Sequence, residues 1–115
     1  MTEIEFVPHE KYGYSAFRIS GHSGHADEGS DIVCAYISSA AELAVSLLID
    51  FYGVKAKLLI SDRDASLKCE IEDISENSAL AGDIRKILSA FRGQLGELHK
   101  QFPKNVKISE RKILL

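Results

Sequence analysis

Two residues in the first third of the chain have side chains suited to nucleophilic catalysis. Cys34 follows a segment, residues 21–31, that contains three glycines and almost no apolar residue. His22 lies near the start of this segment, with eleven residues between it and Cys34. A thiol nucleophile needs a base within hydrogen-bonding reach, and histidine can act as that base near neutral pH. A loop of this length can fold back on itself, so the pair predicts a cysteine-type hydrolase.

The local context of Cys34 supports this interpretation. Apolar residues recur at three- and four-residue steps through residues 32–52, which predicts a helix with Asp31 as its N-cap. Cys34 would then lie in the first helical turn, where free backbone N–H groups and the helix dipole stabilise a thiolate. We also expect the N–H groups of Cys34 and Ala35 to hold an oxyanion formed by attack on a carbonyl.

Other roles stay open for the residues of this region. His25 is a second candidate for the base. Asp31 is either the helix cap or a third catalytic group that orients His22 and stabilises the imidazolium. Cys34 could also be a small buried hydrophobic residue. Ser38, one helical turn after Cys34, either touches the thiol or the substrate, or simply permits close packing.

The same region is rich in donor atoms, so a metal site is an alternative to the thiol site. The candidate ligands are His22, His25, Asp27, Asp31 and Cys34. Their spacing matches no closed zinc pattern, and they include only one thiolate. Cys69 shares an apolar strand face with Leu67 and Ile71, which predicts a core thiol. We therefore expect no metal and no other cofactor.

Length and composition indicate one globular domain over residues 1–115. Apolar residues make up 45% and charged residues 27%, which are ordinary values for a folded protein. The formal net charge of -3 gives no basic surface for nucleic acid or anionic lipid, so we expect neither as a direct partner. Two cysteines and no secretory leader pattern favour the reducing cytoplasm. Glu42 and several serines in residues 32–49 favour a core helix over a membrane span.

The order of the predicted elements gives the fold class. The apolar patterns predict, along the chain, strands 2–7 and 14–20, helix 32–52, strands 56–61 and 66–73, helix 77–102 and strand 106–108. Gly53 suits the position just after the first helix, and Pro103 ends the second. The order ββαββα(β) is typical of an α+β domain, in which two long helices pack on one face of a mainly antiparallel sheet.

The segment GHSGHADEGSDIVCA, residues 21–35, resembles the signature of the Prp family of bacterial ribosomal-processing cysteine peptidases. In that signature a Gly-His pair is followed by a sequence Asp-Ile-Val-Cys and then a small residue. Eleven residues lie between the histidine and the cysteine. Here Gly21 and His22 match the first part, and Gly29 and residues 31–35 match the second. Ser23 replaces the more usual alanine after the histidine. The chain length and the order of elements also fit the family.

The resemblance implies a cysteine endopeptidase that removes a short N-terminal extension from a large-subunit ribosomal protein. It implies that His22 and Cys34 are the catalytic residues and that the protein is a homodimer. In the expected reaction Cys34 attacks a backbone carbonyl, His22 protonates the leaving amine, and water hydrolyses the thioester. The alternative from another class is a catalytically idle, ribosome-associated module that binds peptides.

Two expectations concern surfaces. A substrate must lie extended to reach Cys34, so we expect it to add to an edge strand, with residues 14–20 as the candidate edge. The helix over residues 32–52 carries only two charged residues. It therefore has more apolar surface than a sheet and one amphipathic helix can cover. We expect a homodimer built partly on this remainder or on the strands beside the helix. The alternative is that the loop and the C-terminal segment KISERKILL fold over this face instead. The residues assigned to the homodimer contact are Ile37, Ala41, Val45 and Leu48.

Overall fold

The computed structural model describes residues 1–21, 28–63 and 65–114, and it describes side chains throughout these ranges except at 28–31. In chain order the elements are β1 (Thr2–His9), β2 (Gly13–Ser20), α1 (Glu28–Ser46), β3 (Ala56–Ser61), β4 (Ser66–Ile71), α2 (Ser75–Ser78), α3 (Ala81–Gln101) and β5 (Val106–Glu110). A π-helical turn, Leu47–Phe51, prolongs α1. The predicted order is confirmed, with one short helix, α2, added where the second long helix was expected to begin.

The strands form one sheet in the order β3-β4-β2-β1-β5. Every neighbouring pair is antiparallel except β1 and β5, which run parallel. Alternation along β1 divides the sheet into two faces, because Ile4 and Phe6 are buried among the helices while Glu5 lies on the opposite face. There Glu5 forms ion pairs with Arg18 and Arg111. The predicted class, an α+β domain with two long helices on a mainly antiparallel sheet, is confirmed.

Helix α1 begins at Glu28, four residues before the predicted start. Asp31 therefore lies inside the helix, and its predicted role as the N-cap is wrong. Cys34 falls in the second turn, where an α-helix pairs each backbone N–H with the carbonyl four residues earlier. The N–H groups of Cys34 and Ala35 are thus used within the helix, so the predicted oxyanion site at these two groups is also wrong. An acidic residue such as Glu28 suits a helix start, since the helix dipole favours negative charge there.

The other end of α1 agrees with the prediction. Gly53 has φ +70°, the left-handed conformation that ends many helices. The N–H of Tyr52 donates to the carbonyl of Leu47 at 3.0 Å, and the N–H of Val54 donates to that of Leu48 at 2.8 Å. These bonds satisfy the last carbonyls of the helix and turn the chain toward β3.

One face of α1 packs into the core of the domain. Val33, Ile37, Ala41 and Leu48 are buried against the sheet and α3. The assignment of Ile37, Ala41 and Leu48 to a homodimer contact is therefore wrong, because these residues point inward. The segment Ile32–Phe51 is long and apolar enough to cross a membrane on length and composition, with 28% of it buried. The core helix of a globular domain passes the same test of length and composition.

Candidate active site

A groove of about 750 Å³ lies between α1 and the sheet. Cys34, Ser38 and Glu42 line one wall, and their four-residue steps place them in one row along the helix. Ile19 and Leu67 line the groove from β2 and β4. The groove is therefore a mainly apolar channel with a thiol in its helical wall.

Cys34 lies at the end of this groove where β1 begins and β2 ends. Its side chain is partly buried, and its Sγ atom is 3.8 Å from Oγ1 of Thr2. Thr2 is 4% exposed and also lines the groove. Sequence reasoning missed Thr2, because no local pattern connects a residue at the start of a strand with one that is 32 positions later. The thiol thus has a hydroxyl neighbour supplied by the sheet.

Gly21 is brought to the same end of the groove as Cys34. It has φ +81°, which favours glycine, and a Cβ atom there would lie 2.9 Å from the carbonyl oxygen of Met1. Both features explain why a glycine directly follows β2. His22 is the next residue in the sequence, but His22 and His25 lie outside the described residues.

The second thiol is unsuited to nucleophilic chemistry. Cys69 is 1% exposed, on the helix-facing side of β4. Burial, with a smaller contribution from the charge of Glu70, raises the pKa of the Cys69 thiol to about 11. The prediction that Cys69 is a core residue is confirmed.

The two described histidines hold backbone groups at other places. Nδ1 of His9 accepts the N–H groups of Lys11 at 3.1 Å and Tyr12 at 3.3 Å. Nδ1 of His99 is 2.7 Å from the carbonyl oxygen of Val106. Neither histidine lines the groove. The chain has four histidines, so the candidates for a base at Cys34 are reduced to His22 and His25.

The supporting residues differ in their relation to the groove. Ser38 lines it one turn from Cys34, as one of its two predicted roles requires. Ala35 is exposed and is not among the lining residues. The side chain of Asp31 lies outside the described part, so its orienting role stays a prediction. Among the side chains that the structure describes, in residues 1–21, 32–63 and 65–114, no group of three from His, Cys, Asp and Glu could hold a metal ion.

The strand expected to accept the substrate is not an edge. β2 pairs with β1 on one side and with β4 on the other, so its backbone hydrogen-bonding groups are used within the sheet. The prediction that a peptide adds to residues 14–20 is therefore wrong. β3 is at the edge of the sheet, and its Leu58 and Ile60 line the groove.

Comparison with known proteins gives a family and a fold. The family model described as "Cysteine protease Prp" matches residues 1–107. No match was found among curated protein sequences. Solved structures also match, and because those described below are each under 25% identical to the chain, they support the fold alone.

Three of these structures cover nearly the whole chain. The essential ribosomal processing protease Prp from S. aureus with a substrate peptide matches with TM-score 0.81 and 16% identity, over 96% of this chain and 100% of that one. The same protease with a covalently linked product peptide matches with TM-score 0.77 and 19% identity, over the same shares. SMU.848 from Streptococcus mutans matches with TM-score 0.80 and 23% identity, over 96% of each chain.

Proposed function

The chain belongs to the Prp family of cysteine proteases, and we propose that it cleaves a peptide bond in the N-terminal segment of a ribosomal protein. Cys34 is the nucleophile, and His22 is the general base and acid. The observation that carries the proposal is the partly buried thiol of Cys34 in the wall of the groove. The other thiol, Cys69, is buried in the core.

The choice of His22 is supported by its neighbour and by elimination. Gly21 lines the groove with Cys34, and His22 is bonded directly to Gly21. His9 and His99 are held by backbone groups outside the groove. His25 is the remaining candidate, and alanine substitution of each histidine distinguishes the two.

The reaction follows from the chemistry of this pair. His22 takes the proton of Cys34, and the thiolate attacks the carbonyl carbon of the scissile peptide bond. When the C–N bond breaks, His22 returns its proton to the leaving amine, and the acyl group stays on Cys34 as a thioester. Water then attacks the thioester while His22 takes its proton, and the carboxylic acid leaves as the thiol re-forms.

The dimensions of the groove suit an extended peptide. Cys34 and Asp50, which both line it, are sixteen residues apart on one helical segment, or about 24 Å. An extended chain covers that length with about seven residues. A short N-terminal segment of a larger protein fits such a site, and the S. aureus protease of the same fold is described as a ribosomal processing protease.

The substrate proposal is tested with a peptide that spans the processing site of the ribosomal protein. Cys34→Ala and His22→Ala should each abolish cleavage, while His25→Ala should retain near-normal turnover. If His22→Ala retains turnover and His25→Ala loses it, the base is His25 and the assignment of His22 is wrong. Full cleavage by Cys34→Ala would overturn the assignment of the nucleophile. Binding without cleavage by the unmutated protein would instead favour a peptide-binding module.

We also propose that the protein forms a homodimer through the outward face of α1. Ile32, Tyr36 and Leu43 lie on one side of the helix and are 59%, 37% and 63% exposed. An apolar stripe of this kind on a folded domain marks a contact surface, and a second copy with two-fold symmetry is the simplest partner.

The dimer is tested by light scattering at micromolar concentration, where a monomer has a mass of 12.7 kDa. We expect twice that mass for the unmutated protein and the monomer mass for Leu43→Glu. Ile113→Glu, at an equally exposed apolar residue near the other end of the chain, is the control and should stay dimeric. A monomer mass for the unmutated protein would refute the dimer.

A further inference from the structure

We infer that Thr2 is a positioning residue for the nucleophile: its buried hydroxyl donates a hydrogen bond to the Cys34 thiolate and holds the sulfur at the end of the groove. The inference deepens the proposed function, since it takes Cys34 as the nucleophile. It concerns a residue that lies outside the signature segment 21–35.

The contact between the two side chains carries the inference. Oγ1 of Thr2 and Sγ of Cys34 are 3.8 Å apart, within the range of hydrogen bonds to sulfur, and either atom can donate while the thiol is protonated. A thiolate has no proton and only accepts, so ionisation of Cys34 makes the hydroxyl of Thr2 the donor. A hydrogen bond to a charged acceptor is shorter and stronger than one between neutral groups. The contact therefore favours the ionised, reactive form of Cys34.

The hydroxyl is held in place by the sheet. The N–H of Thr2 donates to the carbonyl of Asn105 at 2.9 Å, and Thr2 pairs with Val106 in the parallel ladder between β1 and β5. Thr2 shares the helix-facing side of β1 with Ile4, and its β-branched side chain has few rotamers. The donor is therefore fixed relative to α1 before ionisation.

Burial increases the effect of the contact. Thr2 is 4% exposed, so water competes little for its hydroxyl. A hydrogen bond in such surroundings is stronger than one in water, and even a partly buried thiolate is costly without a donor. The N–H group of Cys34 is hydrogen-bonded within α1. A hydrogen bond to the sulfur of Cys34 must therefore come from a side chain of another element.

Two substitutions separate the hydroxyl from the shape of the side chain. Thr2→Val keeps the volume and the branching but removes the donor, whereas Thr2→Ser keeps the donor and removes the methyl group. The measured quantity is the pH at which alkylation of Cys34 by iodoacetamide reaches half its maximal rate, with peptide mapping to identify the modified residue. We expect Thr2→Val to raise this midpoint by about one pH unit and Thr2→Ser to leave it within about 0.3.

Cleavage should follow the same pattern. For Thr2→Val, kcat/KM below the midpoint should fall about tenfold, in proportion to the thiolate, and should recover as the pH rises. An unchanged alkylation midpoint in Thr2→Val would overturn the inference. So would equal losses of cleavage in both variants with no shift of the midpoint, because that result indicates a structural role.

The role of Thr2 and the ribosomal substrate can be refuted independently of each other. Alkylation needs no substrate, so the midpoint tests Thr2 even if the ribosomal target is wrong. If Cys34→Ala abolishes cleavage but the midpoint does not move in Thr2→Val, only the role of Thr2 is refuted. Circular dichroism and thermal unfolding show whether each variant is folded. If Thr2→Val does not fold, Thr2→Ser alone tests the role of the hydroxyl. A shift of the Cys34 alkylation midpoint by a full pH unit in Thr2→Ser would then refute that role.

Discussion

Treatment with iodoacetamide at pH 7 should modify Cys34 in the folded protein and leave Cys69 intact. Cys34 is partly exposed in a groove of about 750 Å³, which admits a small reagent. Cys69 is 1% exposed and has a pKa of about 11, mainly because of burial and then because of Glu70. Alkylation proceeds through the thiolate, so both the access of the reagent and the ionised fraction act against Cys69.

The size of the effect at Cys69 can be worked out from its pKa. A thiol with the ordinary value of 9.0 is about 1% ionised at pH 7, whereas one at 11 is ionised to about one part in ten thousand. Cys69 should therefore react about a hundredfold more slowly than an ordinary thiol before its burial is considered. With almost no surface exposed, further slowing is expected, because the reagent must wait for local opening.

Intact-mass spectrometry over time measures this selectivity, and peptide mapping locates the adduct. The native protein should gain one adduct, on Cys34, and peptidase activity should disappear in parallel. Protein unfolded in urea should gain two adducts, while folded Cys34→Ser should gain none over the same period. Comparable rates at Cys34 and Cys69 in protein that circular dichroism shows to be folded would refute the reasoning.

Three further predictions concern stability and specificity. Gly21→Ala should lower the free energy of unfolding in urea by about 1–2 kcal/mol, because alanine at φ +81° is strained. The control is Gly93→Ala, in α3 with open space around it, which should raise the free energy of unfolding by roughly 0.5–1 kcal/mol. Similar changes in both variants would contradict this explanation. Asn77→Ala should lower the free energy of unfolding by roughly 3–5 kcal/mol, because the fully buried amide makes hydrogen bonds of 2.8, 2.7 and 2.6 Å with backbone groups. A decrease below about 1 kcal/mol would contradict this prediction. Glu42 and Asp50 both line the groove on its helical side. The double substitution Glu42→Gln and Asp50→Asn should raise KM about two- to fivefold for peptides with lysine and leave KM unchanged for neutral peptides. Equal effects on both kinds of peptide would refute the role of charge.

The local elements could be predicted because each depends on a short pattern. The alternation of Ile4, Glu5 and Phe6 defines a strand with one buried face whatever its neighbours are. The parallel pairing of β1 with β5 joins residues about a hundred positions apart, and no local pattern contains that information. The start of α1 was misplaced because Gly29 and Ser30 resemble a loop, whereas the helix continues through both.

The sequence nominates a candidate catalytic pair, whereas the surroundings of Cys34 could not be predicted from it. The types and spacing of His22 and Cys34 were sufficient to nominate the pair. The direction of Ile37 was predicted wrongly, because a helix that is apolar on nearly every side does not reveal which side meets the sheet. Thr2 could not be found from the sequence, since its contact with Cys34 depends on how β1 is placed against α1.

The position of Cys34 in α1 changes how its activation must be explained. A cysteine in the first helical turn can use free N–H groups and the dipole of its own helix, so its reactivity would be largely local. Cys34 is in the second turn, where its N–H belongs to the helix and the effect of the dipole has fallen. If Cys34 is the nucleophile, as proposed, its thiolate must be stabilised by side chains that other parts of the fold bring to the groove. In the described structure the side chain of Thr2 contacts the thiol, and the proposed base, His22, follows the strand beside β1 in the sequence.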